Sequence, residues 1–109
     1  MLTIFILSTY LSGGDVEKGD EIIRAQLELM KLSYFCDDPL YRTKRDATSR
    51  SVARLEKGTS FKPEDVMELD SGLKNKTVEL STHLNRGDCI ALISEAQDKV
   101  DRLYEQLNR

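Results

Sequence analysis

Apolar residues recur every three or four positions through most of this chain, the spacing that gathers side chains on one helix face. Segment 88–107 carries the pattern most clearly: Ile93, Ala96, Val100, Leu103 and Leu107 step by 3, 4, 3 and 4. Ile23, Leu27, Met30 and Tyr34 step by 4, 3 and 4 and predict a helix over 16–36. Val66, Leu69, Leu73, Thr77, Leu80 and Leu84 continue helical spacing from 63, as one helix through Gly72 or as two joined near 71–75. A helix over 39–56 has few apolar residues (Leu40, Ala47, Val52 and Leu55) and should be the most exposed. Segment 2–11 fits a buried first helix, although its β-branched content also fits a strand.

Turn residues punctuate these runs. Gly13-Gly14-Asp15 reads as a turn, with glycine ending one helix and Asp15 capping the next. Gly19 weakens the second helix by about 1 kcal/mol relative to alanine. Asp37-Asp38-Pro39 marks a boundary at which Asp38 can cap, and Gly58 ends the helix that follows. Pro63-Glu64-Asp65 opens a helix with acids at the positive end of its dipole, and Asn85-Arg86-Gly87-Asp88 is the last turn. The expected architecture is all-α, one domain over 1–109: a small helical bundle or two stacked helical hairpins, with five to six helices.

Composition agrees. The chain has 109 residues, suited to one domain, and its scarcity of Gly, Pro and aromatics argues against a mostly β protein. The apolar start lacks a basic region before it and a small-residue cleavage site after it, and nothing approaches the roughly 20 apolar residues of a membrane span. The expectation is a cytoplasmic protein with no membrane partner. Cys36 and Cys89 have no CxxC spacing and no histidine partner, so two buried free thiols are expected, with a disulfide or a reactive thiol as alternatives.

Charge is unevenly distributed. The net of −3 conceals a +5 segment at 42–62, flanked on either side by segments of −4. The basic segment either lies against its acidic neighbours or faces a partner such as nucleic acid.

Two local resemblances bear on function. Tyr10, Gly14, Asp15-Val-Glu-Lys18 and Ala25-Gln-Leu-Glu-Leu29 resemble a tetratricopeptide hairpin over 2–29, with a fainter copy over 80–100. Gly19 replaces that family's small alanine, and Ala25 is one residue out of register. Residues 7–15 and 80–88 are identical at six of nine positions, as if one hairpin were used twice. The resemblance implies protein or peptide binding, as in small secretion chaperones. Residues 46–73 are similar to the recognition helix, glycine turn and following helix of Cro/repressor-type helix-turn-helix domains. That resemblance would place Thr48, Ser49, Arg50 and Ser51 toward base edges, although the preceding segment 40–45 lacks the family's apolar packing pattern.

Catalytic and metal chemistry finds little footing. His83 is the single histidine, and His83, Asp88 and Cys89 make a sparse set for zinc. No catalytic residue, metal ligand or cofactor is expected. The expected function is a non-catalytic protein–protein interaction module (a small adaptor, secretion-type chaperone or inhibitor). It would bind another protein or peptide, or a second copy as a homodimer, through an apolar helical face. The residues expected to carry it are Ile93, Val100, Leu103, Tyr104 and Leu107, then Tyr10, Ile23, Leu27 and Met30. The same stripes serve equally as core. The alternative is a DNA-binding regulator using Arg45, Arg50, Arg54 and Lys57.

Overall fold

A computed structural model describes residues 2–80 and 84–107, with side chains from residue 16 onward except that of Arg86. Among these residues the chain is all-α. Helix α1 spans Leu2–Phe35, α2 Tyr41–Leu55, α3 Pro63–Lys74 and α4 Arg86–Leu107, and a 3-10 turn, Glu56–Gly58, follows α2. Four helices thus replace the expected five to six. The difference has two sources.

First, α1 runs unbroken through Gly13-Gly14-Asp15. Glycine costs about 1 kcal/mol per helical position, but unlike proline it removes no hydrogen bond, and no proline precedes Pro39. The tetratricopeptide-like hairpin over 2–29 and the paired-hairpin architecture are therefore not formed. Residues 7–15 are helical while Leu84 and Asn85 are not, so the two similar stretches differ in structure. Second, the helix from Pro63 stops at Lys74 instead of continuing toward Leu84. Lys76 takes a positive φ of 60°. Its N–H bonds to the Leu73 carbonyl, and the Thr77 N–H bonds to that of Gly72, which closes the end. Gly72 admits the returning chain: a Cβ there would lie 2.7 Å from Val78 Cγ2.

Helix α1 is the spine of the molecule. At 1.5 Å per residue its 34 residues span about 51 Å, which accounts for most of the 57 Å long dimension. One face, with Ile23 and Met30, packs with Val52 of α2 and Val66 and Leu73 of α3. Another, with Ala25 and Leu29, packs against Val100 of α4, backed by Ile93, Ala96, Leu103 and Tyr104. The sequence stripe at 23, 27, 30 and 34 is the first face; the second escaped notice because it begins one turn position away.

Polar groups complete the interior. Asp70 of α3 is 3% exposed. It accepts a hydrogen bond from Tyr41 Oη at 2.6 Å and pairs with Lys74 at 2.9 Å and Arg45 at 3.6 Å. Burial pushes the Asp70 carboxyl up, but the Tyr41 hydroxyl and the two cations outweigh it and hold it below its ordinary value of 3.8. Burial and the Asp70 carboxylate together push the Tyr41 phenol well above its ordinary 10.0. Tyr104 Oη of α4 bonds to Ser51 of α2 and to Gln26 of α1. No buried side-chain polar atom among the described residues lacks a partner.

Cys36 and Cys89 form a disulfide, with Cα atoms 5.7 Å apart. This corrects the expectation of two free thiols. Their 53-residue separation conceals that the end of α1 and the first turn of α4 meet in space.

Candidate functional site

The turn between α1 and α2 is tightly specified. The Asp37 N–H bonds to the Tyr34 carbonyl and the Asp38 N–H to that of Ser33, with Asp37 at a φ of 54°. Asp38 then holds the far side: Oδ1 accepts the Leu40 N–H at 2.9 Å, and Oδ2 accepts the Ser33 hydroxyl at 2.8 Å and pairs with Lys44. Burial raises the Asp38 carboxyl, yet these partners hold it below 3.8. Asp38 does not cap α2 as the sequence suggested: α2 starts at Tyr41 with Leu40 at its N-cap and no side-chain capping bond, and the Asp38 carboxylate holds the turn before it instead. Across the disulfide, Asn85 Oδ1 accepts the Asp88 N–H at 2.9 Å and caps α4.

Both fixed ends present apolar side chains to solvent. Leu40 is 57% exposed, Ile90 77% and Phe35 37%. Phe35 and Ile90 line a hollow of about 530 Å³ with Ile93 and the two cysteines, and Leu40 lines an adjoining, more open one of about 430 Å³ that shares Asp38, Ile90 and Ile93 with it; the two together form the groove beside the disulfide. Among the described residues four large apolar side chains are exposed, and three of them lie here; the fourth, Met67, is on α3. A larger groove of about 650 Å³ runs between α1 and α4, but charges of both signs (Glu21, Arg24, Glu28 and Lys99) surround its half-buried Leu27 and Leu103. An exposed apolar cluster marks a contact surface better than volume does.

The residues expected from sequence to bind a partner divide. Ile23, Met30 and Val100 are buried core and are corrected to that role. Leu103 and Tyr104 are half-buried against the second core cluster, Leu27 against the first. Leu107 is half-buried at the end of α4. Ile93 alone lines the disulfide groove. The side chain of Tyr10 and all of His83 lie outside the described residues. From the sequence, Phe35 beside the 36–39 turn fits either core or an exposed contact patch, and the structure exposes it; Leu40 and Ile90 were missed as contacts. Ile90 was detectable as a one-turn extension of the stripe beyond Ile93; the other two become neighbours of it only through the disulfide.

The basic segment divides as well. Arg45 is half-buried on Asp46 and Asp70, and Lys44 sits on Asp38. Arg50, Arg54 and Lys57 are exposed. Thr48 and Ser51, two of the four positions matched to base-contacting residues, are buried, with Thr48 Oγ1 donating to the Lys44 carbonyl. The helix-turn-helix reading loses those contacts, because this face of α2 packs inward.

Among the described residues no group of three metal-ligating side chains occurs, and no helix is long and apolar enough to cross a membrane. No family model, curated protein or solved structure matches the chain in the comparisons made with known proteins.

Proposed function

We propose that this chain is a non-catalytic protein-interaction module that binds a partner protein through the apolar groove beside the disulfide. The convergence of Phe35, Leu40 and Ile90, exposed on three different stretches of chain, carries this reading. Exposed apolar side chains gathered in a concave site cost solubility unless something covers them. The shape is set by hydrogen bonds and a covalent link, so little order has to be gained on binding. The disulfide supports an oxidising compartment in place of the expected cytoplasm, where thiols are kept reduced.

A photo-crosslinking amino acid placed at Ile90 tests this in cells that make the chain, with the same group at exposed Ala53 of α2 as control. The expected result is a discrete adduct from position 90 alone, lost when Leu40→Asp is added. No adduct, or equal adducts from both positions, would overturn the reading.

A further inference from the structure

The charges around the groove are not balanced. Its charged lining is Asp37, Asp38 and Asp98 on the acidic side and Lys44 on the basic side. The Lys44 ammonium is committed to Asp38, in an ion pair that is nearly closed to solvent, and Ser33 and the Leu40 N–H hold the same carboxylate. Asp37 and Asp98 are therefore left as exposed carboxylates beside the apolar Phe35, Leu40, Ile90 and Ile93, in a lining that also includes Asn85, Ser94 and Gln97. They stand on different elements, Asp37 in the turn after α1 and Asp98 midway along α4, so they mark the two parts of the groove, with Ile90 and Ile93 shared between them.

We infer that the groove takes an amphipathic segment of a partner protein whose apolar anchors are flanked by lysine or arginine. This rests on the reading of the groove as a binding site and adds the chemistry of its occupant. Leu40, Ile90 and Ile93 receive the anchors by burial of apolar surface, and Asp37 and Asp98 select the flanking charge. Charges at the edge of an interface select partners and speed encounter more than they add affinity. The selectivity is therefore modest and screened by salt. A second copy of this chain fits less well. The exposed basic side chains of α2 and the 3-10 turn after it (Arg50, Arg54 and Lys57) lie near Ala53 in sequence, so that stretch brings cations without a large apolar anchor.

The test uses the full oxidised chain and two synthetic amphipathic peptides with the same leucine face. One carries lysine and arginine on its flanks, the other glutamate. Fluorescence anisotropy at low salt should show the basic peptide binding about fivefold or more tightly than the acidic one. Asp37→Asn with Asp98→Asn should bring that ratio close to one while the chain keeps its helical circular dichroism; asparagine tolerates the positive φ at 37. Ile90→Asp should abolish binding of both peptides. Equal binding of the two by the unaltered chain overturns the basic-partner inference and leaves the groove reading standing. Absence of binding by both overturns the inference, and crosslinking at position 90 then decides the groove reading separately. A dimer in sedimentation velocity that dissociates on Ile90→Asp overturns it in favour of a second copy.

Discussion

Gly19 and Gly58 meet where α1 passes the 3-10 turn, and the contact is one-sided. A Cβ on Gly19 would lie 1.8 Å from the Gly58 carbonyl oxygen, whereas one on Gly58 would meet nothing within 4 Å. Beside it Asp20 binds the same loop, accepting hydrogen bonds from the Thr59 hydroxyl at 2.6 Å and from the Ser60 N–H and hydroxyl at 2.7 Å each. Gly19→Ala should therefore cost about 2 kcal/mol or more by forcing backbone apart, and Gly58→Ala much less. Urea denaturation midpoints will separate the two. The glycine that weakens α1 as a helix is thus required by a neighbour. At the end of α3, Lys76 takes a positive φ that glycine adopts without strain. Lys76→Gly should raise stability by about 0.5–1 kcal/mol in the same assay.

At the scale of elements, α2 and α3 are joined by Asp70 as much as by Val52, Val66 and Leu73. Asp70→Ala leaves the half-buried Tyr41 hydroxyl without its acceptor, while Lys74 and Arg45 keep water or Asp46, so it should cost about 1–3 kcal/mol. The pH dependence follows from the directions of the shifts. Asp20, Asp38 and Asp70 all titrate below 3.8 when folded, so their contribution is present above 3.8 and is lost as pH falls through the lower folded values. The Tyr41 phenol is shifted upward, so its contribution is complete below 10.0 and is lost as pH rises through the folded value. Denaturant midpoints should form a plateau between about pH 5 and 9 and fall on both sides. Asp70→Asn should weaken the alkaline fall, because the carboxylate that opposes Tyr41 ionisation is gone. Helix α4 and the start of α3 were legible in the sequence, because Ile93, Ala96, Val100 and Leu103 share one face and Pro63, followed by two acids, suits the first turn of a helix. The inward face of α2 was not. Periodicity counts apolar residues, while Thr48 and Ser51 are buried through hydrogen bonds whose partners lie on other elements or a turn away. The groove was illegible for a related reason: it depends on pairing two cysteines that no local pattern connects.

For the whole molecule, the disulfide ties the far end of the spine to the start of α4. Loop-closure entropy for residues 53 positions apart gives about 4 kcal/mol of stabilisation. Reduction, or Cys36→Ser with Cys89→Ser, should lower unfolding free energy by that order and loosen the first turn of α4, measurable by hydrogen exchange at residues 89–93. The second half of α4 should hold, since Val100, Leu103 and Tyr104 stay packed on α1.

The same bond divides the chain into a closed ring and two free arms. The ring contains α2, the 3-10 turn and α3, while α1 and nearly all of α4 are arms that leave it at the crosslink. Backbone cleavage inside the ring would open it without releasing a fragment. Lys76, exposed beyond the end of α3, is a site for trypsin within it. A chain cut there should run at full mass on a non-reducing gel and split in two when thiol is added, so its two parts would remain one molecule after the backbone is broken.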